Sequence, residues 1–110
     1  MTIPSFDLRV VRNGRSIHLA PCGELDIATT PKLEQALADA TADAVADIVL
    51  DLRELTFMDS TGLRALAQAN ARAGDSGIAL PIIRGPRQIE RVLEISGLGA
   101  MLPLVDPPPQ

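Results

Sequence analysis

In Phe57-Met58-Asp59-Ser60-Thr61-Gly62-Leu63 an apolar run gives way to an acid, two hydroxyls and a glycine, and then to helical spacing. An acid or hydroxyl at such a hinge can cap a helix by accepting from its free backbone N–H groups, typically worth about 1 kcal/mol. A serine there can also act as a nucleophile or accept a phosphoryl group. As a nucleophile Ser60 lacks a base. Met58-Asp59-Ser60-Thr61-Gly62 matches the Gly-x-Ser-x-Gly elbow only at the Ser and the second Gly. The one histidine, His18, precedes the Ser and falls in mid-strand, where a structural role is the simpler reading. As a phosphoacceptor Ser60 fits better. A phosphate adds about −1.5 to −2 charges and three acceptor oxygens. At a helix N-terminus it meets exposed amides and the positive end of the dipole. Asp59 would oppose the new charge and Arg64, one turn on, would offset part of it. The expected result is a changed surface on an intact domain, which is how a switch in a binding module behaves.

An aspartyl phosphate is a poorer fit. Asp47-Ile48-Val49-Leu50-Asp51-Leu52 resembles the central strand of a phospho-receiver, but Arg12-Asn13-Gly14-Arg15 stands where receivers carry an acidic cluster. The only lysine, Lys32, comes too early. Composition excludes other classes. Net charge is −4, no basic patch stands out, and there is no Trp or Tyr to stack a base, so nucleic-acid binding is not expected. One Cys and one His cannot build a metal site, and Cys22 reads as a small buried residue. No phosphate-cradling glycine loop is present, so no cofactor is expected. Met1–Val10 has neither a charged leader start nor a long apolar stretch, and no run approaches membrane-spanning length. A cytoplasmic protein that does not insert into membranes is expected.

The elements that must hold this hinge follow from periodicity. Phe6, Leu8 and Val10 alternate with Asp7 and Arg9 as in a half-buried strand, and Asn13-Gly14 signals a hairpin. Residues 15–22 return antiparallel, with a break expected at Gly23. Helix one is expected to be capped by Thr29 or Thr30, with Pro31 in its first turn and Leu33, Ala36, Leu37 and Ala40 on one stripe. The aliphatic run in 48–52 reads as a strand covered on both faces, hence parallel or central. Helix two starts near Ser60, with Leu63, Leu66, Ala67 and Asn70 on one face and Gly74 as its stop. A strand follows at 77–83, with Pro81 placing it at an edge or in a bulge. Helix three begins at Pro86 and ends before Gly97, and Met101–Val105 offers a last short strand. The order is β-β-α-β-α-β-α with that final strand. It predicts an α/β domain with a mixed sheet of four to five strands, opening with an antiparallel hairpin and packed with three to four helices. The reading is a single domain, 1–110, with a core over 5–105 and a proline-rich tail at 106–110. In such sheets the usable surface lies past the carboxyl ends of the parallel strands, where Asp59-Ser60-Thr61-Gly62 falls.

Gly23-Glu24-Leu25-Asp26 with Thr29 and Leu33, followed by Asp59-Ser60-Thr61-Gly62-Leu63, resembles the STAS domain of bacterial anti-sigma factor antagonists. Arg87–Leu98 looks like the third helix of that family with its closing Gly-Leu, and the resemblance spans roughly residues 6–105. It implies a non-enzymatic antagonist that binds an anti-sigma factor, often a serine kinase of the GHKL ATPase type, and so frees a sigma factor. By motif matching Ser60 is the phosphoacceptor and Thr61 a secondary one; the kinase's phosphate weakens binding and a phosphatase restores it. Asp26 is carried over as an interface residue, and Asp59, Ser60, Thr61, Gly62, Leu63 and Arg64 complete the expected contact surface. Gly62 is expected to hold an unusual backbone angle. The working form is expected to be a monomer or weak dimer. A second implication is a STAS-like subunit of a stress-signalling complex or a lipid-transport ATPase. Pro81 and Thr30 depart from the family pattern.

Overall fold

A computed structural model describes residues 6–108. β1 (Phe6–Asn13) and β2 (Ser16–Leu25) form the antiparallel hairpin, with Asn13 paired to Ser16. The turn is therefore Gly14-Arg15, one residue later than Asn13-Gly14 suggests. Gly14 has φ +63° while Arg15 keeps an ordinary negative φ, the pattern of a turn with glycine at its first central position. α1 (Thr30–Ala42) leads to β3 (Asp47–Asp51), which runs parallel to the first half of β2. β4 (Leu55–Met58) then pairs in parallel with the far end of the same strand, and α2 (Ser60–Asp75) follows at once. β5 (Ile82–Ile83), α3 (Arg87–Ser96), a 3-10 turn (Leu98–Met101) and β6 (Leu104–Val105) complete the described chain. The sheet order is β1-β2-β3-β5-β6, with β4 on β2.

Two expectations give way here. The sheet has six strands, one more than the upper expectation, because β4 was not foreseen. β2 also does not break at Gly23. It bulges between Gly23 and Glu24, with Gly23 at φ +101°, and runs on to Leu25. The bulge turns the strand so that β3 and β4 can both use one edge of it. Gly23 N donates to Glu54 O at 3.0 Å and Asp59 N to Leu25 O at 3.2 Å, which ties both ends of β4 to that extension.

Register divides the sheet into two faces. Ile17 and Leu19 on β2, Ile48 and Leu50 on β3 and Ile82 on β5 share one face, and all are buried. Leu33 and Leu37 of α1, Leu63 and Leu66 of α2, and Ile89 and Leu93 of α3 join them in one cluster. The α1 and α3 stripes are as the spacing predicts. On α2, Ala67 and Asn70 are only half-buried, while Ala65 and Ala73 face inward. α2 runs through Gly74; Gly77, at φ +69°, is the glycine in the left-handed conformation beyond its end. Pro81 interrupts the 77–83 segment to an isolated bridge (Asp47 with Ala79) and a two-residue strand. That strand is not an edge, since β6 lies outside it.

The other face carries His18, Val49 and Asp51, so β3 is central but not fully covered on both sides. Asp51 is 5% exposed. Its Oδ1 accepts from the Arg53 backbone N–H and Nε, both at 3.0 Å; Oδ2 accepts from Arg53 Nη2 at 2.8 Å and lies 3.0 Å from His18 Nε2. Burial pushes this carboxyl up, but the bonds from Arg53 and His18 outweigh it and hold the pKa at about 2. Cys22, read as buried, is half-buried on this face, and burial raises its pKa.

Gly62 explains how α2 sits so close to the sheet. It is helical, not at an unusual φ as expected; a Cβ there would lie 2.9 Å from Leu25 Cγ and Cδ2 and 3.0 Å from Met58 Cγ. Its reason is close approach.

Two outcomes test these packings. A depressed carboxylate stabilises the fold at any pH above its unfolded value and loses that contribution as pH falls through its folded value. For Asp51 the loss runs from 3.8 down to about 2 and amounts to roughly 2 kcal/mol. Denaturant titrations across that window should therefore show a smaller acid-induced fall for Asp51→Asn than for wild type. Gly62→Ala should destabilise the fold by about 1–3 kcal/mol in the same measurement, because the methyl must displace Leu25 or Met58.

Candidate functional site

The extension of β2 and the whole of β4 end side by side, with Leu25 opposite Met58, and each runs straight into a turn that opens a helix. The first turn is built by Asp26 and Thr29. Asp26 Oδ1 accepts from Ala28 N at 2.9 Å and Thr29 N at 3.0 Å, while Thr29 Oγ1 accepts from Asp26 N at 2.9 Å and donates to Glu24 O at 2.7 Å. Thr29 occupies the position before α1 as expected, but its hydroxyl turns back into this network and makes no bond to the helix. Pro31 removes one of the N–H groups that would need it. Thr30 is 2% exposed, and its hydroxyl has no partner among the described residues.

Asp59 builds the second turn. Its Oδ1 accepts from Thr61 N at 2.9 Å and Gly62 N at 3.2 Å, the N-cap geometry that the sequence suggests. Ser60 is the first residue of α2; its side chain is exposed and makes no hydrogen bond to any described residue. The cap has a consequence for charge. Two of the amides at the helix start are already engaged by a carboxylate, so an added anion on Ser60 finds fewer free donors than an uncapped helix offers. Its charge would stay at the surface.

The remaining candidates separate by burial. Asp26, Asp59 and Thr61 are half-buried and Arg64 is exposed, with no ion pair among the described residues. Gly62 is buried. Leu63, expected at the contact surface, is 7% exposed and belongs to the core, so it fixes the helix and presents nothing to a partner. His18 pairs with Asp51 on the central strands and takes no part in either turn.

The structure adds side chains that sequence reasoning passed over. Ile27, at the tip of the Asp26 turn, is 75% exposed, and Phe57, opposite Glu24 on β4, is 48% exposed. Ile27 falls after the last strand residue, Leu25, and before the first stripe residue of α1, Leu33. An apolar residue belonging to neither periodicity is the signal that could have found it. Together with Glu24, Asp26 and Asp59 these two make an acidic surface with two apolar projections beside Ser60.

Comparison with known proteins agrees with this architecture. The family described as "Mlab, STAS domain" matches residues 8–105. The anti-sigma-B factor antagonist of Staphylococcus aureus (strain NCTC 8325 / PS 47) is 36% identical over 76 residues, covering 69% of this chain and 70% of that protein. An anti-sigma factor antagonist from Mycobacterium paratuberculosis superposes with a TM-score of 0.82 at 28% identity, covering 94% of this chain and 89% of that one. The Bacillus cell fate determinant SpoIIAA in its phosphorylated form superposes with a TM-score of 0.71 at 21% identity, over 94% of this chain and 91% of that one. Strand order, the two joined turns and a family match over most of the described residues lead to one assignment: this chain belongs to the STAS domain family.

Proposed function

We propose that this protein is an anti-sigma factor antagonist. It binds an anti-sigma factor through the surface formed by the Asp26 turn, Phe57 and the start of α2, and phosphorylation of Ser60 by a serine kinase switches that binding off. The observation that carries the reading is the state of Ser60: an exposed, unbonded hydroxyl on the first residue of a helix whose cap is already a carboxylate. A phosphate placed there adds about two negative charges beside Asp59, with Arg64 one turn on along α2 as a compensating cation. The backbone has no reason to change. The contact surface does, from a compact acidic patch with apolar projections to one carrying a bulky, strongly hydrated dianion, and a partner that desolvates the patch would have to desolvate that charge too. Thr61 is a poorer acceptor, being half-buried beside the cap. The relatives named above as anti-sigma factor antagonists support the partner class. Ile27 and Phe57 serve as the apolar anchors of the complex in this reading.

Incubation with the cognate kinase and ATP should add one phosphate, which peptide mass analysis places within residues 54–64 and which Ser60→Ala removes. Ser60→Ala should bind the anti-sigma factor as wild type does, whereas Ser60→Glu should bind at least about tenfold more weakly by calorimetry. Equal affinity of Ser60→Glu and wild type would refute the switch. Truncating either projection, in Ile27→Ser or Phe57→Ser, should weaken binding by about 1–2 kcal/mol and leave the melting curve near that of wild type.

A further inference from the structure

We propose that two copies of this protein pair through β1, forming one continuous antiparallel sheet across a two-fold axis. β1 is the outer strand on its side of the sheet, and Arg9–Asn13 are exposed, so nothing among the described residues covers it. Hydrogen-bond direction decides which residues are available. Arg15 O accepts from Ala46 N at 2.7 Å and Gly23 N donates to Glu54 O at 3.0 Å, so the odd-numbered residues of β2 turn their backbone groups toward β3 and β4. By alternation the even-numbered residues of β2 face β1, where they meet Asp7, Arg9, Val11 and Asn13. Leu8, Val10 and Arg12 are then left with N–H and C=O groups directed at the open edge.

Side-chain chemistry selects the register. Pairing across a two-fold axis keeps each residue opposite one of the same parity, because the faces of the joined sheet must match. Centring on Leu8 sets Asp7 against Arg9 of the second copy, twice, and brings Val10, 57% exposed, beside Phe6 of the second copy. Shifting the centre to Arg9 opposes two guanidinium groups, and centring on Val10 leaves Asp7 opposite Asn13 with no charge pair. Asp7 and Arg9 have no ion-pair partner among the described residues, so this complementarity is unused within one chain. β4, which delivers Ser60, joins β2 on the edge opposite β1, so pairing leaves both Asp59–Ser60 turns clear. The association is thus separate from the Ser60 switch, and its test needs no partner protein.

Sedimentation over about a hundredfold range of protein concentration should show monomer giving way to dimer by mass action. Asp7→Arg or Arg9→Asp alone should weaken the dimer about tenfold by placing like charges in register, and the combined charge swap should restore it to within about threefold. Val10→Pro removes an N–H directed at the open edge and none from the hairpin ladder, so it should abolish the dimer while leaving the circular dichroism spectrum and melting curve close to those of wild type. Monomer at every concentration, a dimer indifferent to the single charge reversals, or failure of the double swap to restore it would each overturn the proposal.

Discussion

The continuation of β2 past its bulge is the constraint on which the site depends. Had the strand ended at Gly23, β4 would have no edge to join, and the segment from Leu55 to Met58 would be a loop. Instead the Leu25 carbonyl accepts from Asp59 N, and one hydrogen bond links the exit of one strand to the helix cap that follows the other. The turn bearing Asp26 and the turn bearing Ser60 come from segments more than thirty residues apart in sequence. Their juxtaposition is a product of sheet pairing, and the glycine that permits the bulge is as much a part of the site as the residues that line it.

Carboxylates carry most of the local order in this molecule, and each does so by a different balance. Asp26 folds the approach to α1 by accepting from backbone groups of its own turn. Asp59 stabilises the start of α2 and, by engaging Thr61 and Gly62, restricts what else can be neutralised there. Asp51 is nearly buried and holds Arg53 and His18 on the uncovered face of the sheet, where burial alone would have raised its pKa. An excess of acids over bases, read from composition only as unfavourable to nucleic-acid binding, in part reflects tight turns built by carboxylates in a chain with few aromatic side chains to pin them.

Much of this was legible in the sequence, and the exceptions share a cause. α1 and α3 follow their apolar stripes, and the cap at Asp59 follows from residue type. Leu55–Met58 was missed because its burial pattern, inward at both ends and outward in the middle, fits neither alternation nor a continuous apolar run. The hairpin turn slipped by one residue because Gly14 accepts a positive φ with either neighbour. Gly74 looked like a helix stop because composition cannot say which of two nearby glycines adopts the left-handed conformation. Leu63 was expected at the contact surface and Ile27 was passed over: both are aliphatic, and only the three-dimensional path shows that Leu63 is interred and Ile27 stands clear.

Gly62 leaves no slack beneath the first turn of α2, since even a methyl group would collide with Leu25 and Met58. Ser60 is thus mounted on an unyielding pedestal. A group attached to it cannot push the helix inward to send a mechanical signal through the domain, so altered and unaltered molecules should share one backbone and differ only in what they present outward. In the proposed switch, then, the modification would be read by touch, and its meaning would lie in the surface that meets the partner.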